Sequence, residues 1–341
     1  MRAKIINGQA PGGTRTRLGD VLPLNTPFVL QIFPIYACNF KCGYCIFSVE
    51  KSRRHFISDK VVMDYDLFTK CIDDMTGFPQ KIKVLRFVGI GEPLLHKNIV
   101  DMVEYAVSKN VAHTIEILTN ASLLTRAMSD ALIAAGLTRM VISLQGITKE
   151  KYRDVCGADI DFDGFLSNLQ YFYEHKKNTQ MYIKIVDCAL EGKQDEDSFY
   201  ELFGDMCDTM AVEHAVPIHT GVNFDKILRQ NNNELTQFGL PVSEVHICPQ
   251  PFFTMQINPD GRVVPCFSFE YPGIMGDCNR LAVTEIWNGP EFCAFRSKML
   301  DGAKHVSNIC SGCNIIKYRM FPEDVLNDDA ERLKAFYQEQ V

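Results

Sequence analysis

Short apolar runs alternate with longer amphipathic stretches along most of the chain. Phe28–Phe33, Val84–Gly89, Thr114–Leu118, Met140–Leu144, Met181–Val186 and Met210–Val212 are rich in β-branched and aliphatic residues and read as strands. Between them, Tyr65–Met75, Asn98–Ser108, Arg126–Ala135, Lys149–Asp154, Phe162–Glu174 and Ser198–Gly204 read as helices. In the first of these, Leu67, Cys71 and Ile72 share one face. Strands that alternate with helices imply parallel strands joined by crossover helices, with functional loops at the C-terminal ends of the strands.

The pattern breaks on both sides of this region. Residues 1–26 form a polar lead-in, and 216–245 read as a linker or lid because of Pro217, Gly221, Asn231-Asn232-Asn233, Gly239 and Pro241. His219 in that stretch is a candidate substrate contact. Asn258-Pro259-Asp260-Gly261 is a turn signal between Phe253–Ile257 and Arg262–Val264, which together read as a hairpin. Pro322–Gln340 reads as a closing amphipathic helix.

Composition narrows the class. The chain has 341 residues, 46% hydrophobic and 23% charged, as in a soluble globular protein of one large and one smaller unit. A net charge of −7 gives no basic footprint for nucleic acid. No signal peptide and no membrane-spanning apolar run are visible, so a cytoplasmic location without membrane association is expected.

Thirteen cysteines, several of them clustered, suggest metal rather than disulfides. Cys38, Cys42 and Cys45 fall within Cys38-Asn39-Phe40-Lys41-Cys42-Gly43-Tyr44-Cys45, directly after the first strand. A loop this short can turn its thiolates toward one centre, and thiolate selects iron–sulfur clusters, zinc or copper(I). Three ligands on a 4Fe–4S cubane leave one iron open to a small molecule. A second set, Cys248, Cys266, Cys310 and Cys313, comes from the hairpin region and a later C-x2-C pair. Four thiolates suit zinc as well as an iron–sulfur cluster.

The C-x3-C-x2-C spacing resembles that of the radical S-adenosylmethionine (SAM) enzymes. Other stretches resemble that superfamily too. Gly91-Glu92-Pro93, after the second strand, is similar to its Gly-Gly-Glu-Pro loop, with Ile90 in place of the first glycine. Thr119-Asn120-Ala121 is similar to its Thr-Asn-Gly, and Ser143 ends the fourth strand where a SAM-contacting serine stands. The resemblance implies that Cys38, Cys42 and Cys45 hold a SAM-binding 4Fe–4S cluster. It also implies that Tyr44, Gly91, Glu92, Asn120 and Ser143 border SAM. Lys184 and Asp187, polar residues on an apolar strand, are candidates to touch SAM or substrate, and their odd spacing points them to opposite faces.

The C-terminal set resembles the SPASM/twitch extensions of these enzymes. Gly261 with Cys266, Gly276-Asp277, Glu285-Ile286-Trp287-Asn288 and Arg296 match the opening of that pattern. No cysteine follows Cys313, which points to the shorter twitch form with one auxiliary 4Fe–4S cluster. The implied fold class is α/β, a partial (β/α)6 TIM-type barrel over 27–215 followed by a small α+β twitch-like domain with a β-hairpin over 246–341. The implied activity is reductive cleavage of SAM to a 5′-deoxyadenosyl radical, which abstracts a hydrogen atom from a polar small molecule such as a sugar or aminosugar. Dehydrogenation and epimerisation both follow that step, and in an epimerisation Cys188 or Cys278 is the candidate hydrogen donor. The implied partner is a flavodoxin- or ferredoxin-type electron donor. Modification of a ribosomal peptide and a non-catalytic metal-binding scaffold are the alternatives.

Overall fold

The computed structural model describes residues 2–6, 15–54, 58–218, 221–227, 234–267 and 271–338. Among them, ten strands join one sheet. They are β1 (Lys4–Ile5), β2 (Val29–Ile32), β3 (Ile82–Phe87), β4 (Ala112–Thr119), β5 (Arg139–Leu144), β6 (Gln180–Val186), β7 (Thr209–Glu213), β8 (Thr254–Ile257), β9 (Arg262–Val264) and β10 (Gly276–Asp277). Their order is β1-β7-β6-β5-β4-β3-β2-β8-β9-β10. Strands β2 to β7 pair in parallel, β1 adds in parallel to β7 and β8 in parallel to β2. The β8–β9 hairpin and β10 continue the sheet antiparallel.

Helices Tyr65–Met75, Ile99–Lys109, Arg126–Ala134, Lys149–Cys156, Phe162–His175 and Lys193–Phe203 lie between successive strands. They cover the outer face of the sheet. Met181, Ile183 and Ile185 of β6 share a core there with Phe68, Phe172, Phe199 and Phe203. Tyr182, pointing the other way, joins a separate small cluster with Val141 and Ala211. Strand alternation thus gives the sheet one apolar face and one concave inner face.

The inner face is polar. Gln31, Arg86, Glu116 and Arg139 stand level on β2, β3, β4 and β5. Arg86 pairs with Glu116, and Arg139 Nη1 lies 2.7 Å from Glu116 Oε2. Burial pushes the Glu116 carboxyl up, but the two guanidinium groups outweigh it and hold the group below its ordinary range. Removing one member of such a buried set costs about 3–5 kcal/mol. Arg319, from the C-terminal segment, feels both Glu213 on β7 and Arg86 on β3. Inner faces of strands so far apart in order meet only because the sheet curls, and the result is a partial barrel.

Gln237 brings part of the expected linker onto this inner face. Its Nε2 donates to Glu213 Oε2 at 2.7 Å, and its backbone bridges His214 and Tyr318. Phe238 stacks on Phe321 with ring centroids 4.4 Å apart. His219 lies outside the described residues.

Three elements differ from the sequence expectation. The lead-in contributes β1, only two residues long and too short for a periodic signal. The helix expected from Ser198 begins at Lys193, where Asp195 and Glu196 suit its N-terminal dipole. Pro322–Gln340 is not one helix: turns at Pro322–Asp324 and Asn327–Asp329 precede a helix over Ala330–Gln338. Its acidic residues are drawn back instead to the lead-in, Asp324 to Arg15 at 2.5 Å and Asp329 to Arg17 at 2.9 Å.

Candidate active site

The Cys38–Cys45 loop leaves the C-terminal end of β2 and docks on the end of helix Lys149–Cys156. A helix C-terminus has carbonyls without intrahelical partners. Here the Val155 carbonyl accepts from Gly43 N at 2.9 Å and the Cys156 carbonyl from Lys41 N at 3.0 Å. Phe40 packs edge-on against Tyr152 beneath the loop. Ser48 Oγ donates to the Cys45 and Gly43 carbonyls, and Arg54 donates to those of Phe47 and Val49. The three thiols thus sit on a loop fixed by its backbone.

Cys42 is close enough to Cys38 and Cys45 to feel their charges, and its thiol also meets that of Cys156. Burial pushes the Cys38 thiol up to about 12 and the Cys45 thiol up as well. Contact with Cys156, then burial, raises Cys42. In such a pocket thiolates need positive charge close by, which a coordinated metal provides. The donor set therefore fits an iron–sulfur cluster.

The second loop packs on the first. A Cβ at Gly91 would lie 2.2 Å from the Ile35 carbonyl oxygen, so only glycine permits this approach. The adjacent Glu92 N donates to Ala37 O at 2.8 Å. Ile90, in place of the family's glycine, points away into a cluster with Phe33, Tyr36 and Phe47 behind the cysteine loop. The Glu92 carboxylate is 2% exposed and already takes three donors: Leu94 N, Thr119 Oγ1 and Asn120 N, at 2.9, 2.6 and 2.7 Å. Burial still pushes its pKa up. The side chain ties the loop after β3 to the end of β4.

Asn120 extends this network, donating from Nδ2 to Asn39 Oδ1 at 3.0 Å and pointing toward Cys38 Sγ at 4.0 Å. Ala121 has φ of 58°, a left-handed conformation that favours the glycine of the family motif. Ser143 stands beside Lys184 across β5 and β6. Tyr44 is half-buried beside Cys42 and Cys188, with its hydroxyl in reach of Gln145. Gln145 donates to Ser143 O at 2.8 Å.

Of the two candidate hydrogen donors, Cys188 lies at the rim near Tyr44. Cys278 is 0% exposed in the outer core, against Cys71 of helix Tyr65–Met75. The sheet stands between Cys278 and the inner face, so it serves packing there. Lys184 Nζ is 2.6 Å from Glu213 Oε2 and is held inside the barrel by that partner.

Asp187 is not on the strand as expected but opens the turn Asp187–Ala189 just past β6, and it accepts from His214 and Ala215 N at 2.9 and 2.8 Å. The bond from Asp187 raises the His214 pKa against the effect of burial. A raised folded pKa means the pair stabilises fully below the unfolded value of about 6.5 and loses this as pH rises through the folded value. Asp187→Asn is expected to flatten the pH dependence of hydrogen exchange at the end of β7 as pH rises above about 6.5. An unchanged pH slope in the variant would remove the pair's role.

The C-terminal thiols share one hollow: Cys248, Cys266, Cys310 and Cys313 line it with Pro251, Phe295 and other apolar groups. Burial raises Cys248 and Cys310. The Arg296 guanidinium lies 4.0 Å over Trp287 and donates to the Pro251 and Trp287 carbonyls at 2.9 and 3.0 Å. The Trp287 and Arg296 motif thereby fixes the wall next to Cys248. Among the described residues no three His, Cys, Asp or Glu side chains close on a single ion. The thiols of the first set instead share one loop and those of the second one hollow.

A cavity of about 510 Å³ opens on the inner face toward the N-terminal ends of β2, β3, β4 and β8. The first cysteine set lies beyond the opposite, C-terminal end of β2. Gln250 lines both this chamber and the hollow of the second set. Arg86, Arg319 and Gln250 at its wall were not singled out from sequence. Arg86 and Glu116 did carry a readable signal, the same one as Lys184: a charge inside an apolar strand.

Residues 32–198 match the model of the Radical SAM superfamily, and residues 248–314 match that of SPASM, an iron–sulfur cluster-binding domain. The chain is 25% identical over 300 residues to the tungsten-containing aldehyde ferredoxin oxidoreductase cofactor-modifying protein of Pyrococcus furiosus, covering 76% of this chain and 80% of that protein. It is 22% identical over 283 residues to the S-adenosyl-L-methionine-dependent 2-deoxy-scyllo-inosamine dehydrogenase of Niallia circulans, covering 81% and 88%. Among solved structures, Streptococcus suis SuiB bound to S-adenosylmethionine superposes with a TM-score of 0.62 at 16% identity, over 86% of this chain and 72% of that one.

Proposed function

Because the chain belongs to the radical SAM superfamily and carries a SPASM iron–sulfur cluster-binding domain, we propose that it oxidises a polar small molecule of the sugar or aminosugar class inside the barrel. Its cofactors are SAM, the 4Fe–4S cluster that binds SAM, and an auxiliary iron–sulfur cluster. Bound there, they supply a hydrogen-abstracting 5′-deoxyadenosyl radical and an acceptor for the second electron of a dehydrogenation.

In this reading Cys38, Cys42 and Cys45 hold the first cluster, and Cys248, Cys266, Cys310 and Cys313 hold the auxiliary one. Gly91 lets the second loop close on the first, and Glu92 and Asn120 keep the loop ends in register. Tyr44 and Ser143 border SAM. Lys184 and Glu213 hold a buried charge pair on the inner face behind the chamber wall, and a flavodoxin- or ferredoxin-type protein delivers the electron. The observation that carries the reading is the chamber itself. It has the volume of a small-molecule site, apolar and aromatic walls set with a few charged and amide side chains, and the hollow of the second cysteine set beside it at Gln250. The inosamine dehydrogenase likeness supports oxidation of a polyol.

The test is isotopic. A substrate deuterated at the reacting carbon is expected to pass its label into 5′-deoxyadenosine, with about one oxidised product formed per SAM consumed. Product carrying hydrogen from solvent, with that exchange lost in Cys188→Ala, would instead make the reaction an epimerisation.

A further inference from the structure

Two groups of side chains at the chamber are left unused by this chemistry. The first is a wall of unsatisfied polar atoms. Gln250 Oε1, Thr254 Oγ1 and Gln256 Oε1 are buried without a hydrogen-bond partner, and their residues are 5%, 1% and 0% exposed. Gln250 and Thr254 line the chamber. Gln256 is two residues along β8 from Thr254 and so shares its face. A buried polar atom left unpaired costs about 1–3 kcal/mol. Two of them on the chamber wall, with Gln256 behind, mark where a ligand supplies partners.

The second is an excess of positive charge. Arg15, Lys83, Arg86 and Arg319 line the chamber, against Asp324. Asp324 is already taken by Arg15 at 2.5 Å. Behind the wall, Arg86 and Arg139 share Glu116, while Lys184 pairs with Glu213. Arg319 Nε has no hydrogen-bond partner, and its guanidinium lies 4.5 Å over the Phe267 ring. Burial lowers its pKa to about 10, which leaves it charged at neutral pH. A buried guanidinium suits a planar or tetrahedral oxyanion.

We propose that the chamber binds a small polyhydroxylated anion, with its phosphate or carboxylate on Arg319 and its hydroxyls on Gln250 and Thr254. This rests on the chamber being the reaction site, and it narrows the sugar or aminosugar class to acidic or phosphorylated members. A free ammonium would enter against Arg319, Arg86 and Lys83. The rings of Phe238, Phe267 and Phe321 flank the same space and offer faces to the apolar side of a sugar ring.

The test is anaerobic calorimetry on the reconstituted, SAM-loaded protein with glucose 6-phosphate, gluconate, glucosamine and glucose. One or both anions are expected to bind at least about tenfold more tightly than glucosamine, and the two separate phosphate from carboxylate. Arg319→Gln is expected to weaken the anion by about tenfold to a hundredfold, and Arg319→Lys to recover part of that loss. Circular dichroism checks that both variants fold. Glucosamine binding as well as the anions, an unaffected Arg319→Gln, or binding of none of the four would overturn the proposal. Formation of 5′-deoxyadenosine without any sugar is measured in parallel. If it persists while no anion binds, the anion site fails and the radical SAM reading stands. If it is absent while anions bind, the reverse holds.

Discussion

Anaerobically reconstituted protein is expected to hold about eight irons per chain, falling to about four when Cys38, Cys42 and Cys45 are all changed to alanine. Formation of 5′-deoxyadenosine with SAM and a strong reductant should disappear in the same variant. The reason is positional: these thiols lie on the loop that Gly91, Glu92 and Asn120 brace, and Tyr44 lines its inner side. None of the other cysteines can replace them. Cys156 touches Cys42 but is fixed on a helix, its thiol donating to Tyr152 O at 2.9 Å. Iron content and product are read by colorimetry and chromatography. Product at the wild-type rate would show that the cluster assignment is wrong.

Changing Cys310 and Cys313 to alanine is expected to give the complementary result. Iron should again fall from about eight to about four, while SAM cleavage survives. Oxidation of the substrate should drop by more than about a hundredfold, because the second electron has lost its acceptor. The two outcomes separate because the first set lies beyond the C-terminal end of β2 while the second lines a separate hollow, and the two share no thiol. A variant that loses SAM cleavage as fully as product would place the hollow of Cys248, Cys266, Cys310 and Cys313 in the first half-reaction. Zinc in that hollow in place of iron would remove the electron acceptor while leaving the radical chemistry intact.

The barrel strands and most of their helices were legible from periodicity alone. Burial on the outer face demands Met181, Ile183 and Ile185 at every second position, and that pattern survives any detail of packing. The cysteine loop was legible because its thiols are local, within eight residues of one another. Gly91 was legible for a related reason, since a close backbone approach leaves only one residue type. Glu92 shows the boundary. Its place beside the site was readable, but its three donors, two of them from the end of β4, were not.

What the sequence by itself determined is the chemistry, because thiolate spacing and strand alternation are short-range properties. Tertiary structure alone decided the rest. It sent Cys278 into the outer core and Cys188 to the rim, although the sequence offered both alike as hydrogen donors. It cut the C-terminal helix short, because Asp324 and Asp329 found Arg15 and Arg17 some three hundred residues away in sequence. It also assembled the chamber wall from Arg86, Gln250 and Arg319. These residues meet only when the sheet curls, so no local pattern along the chain announces them.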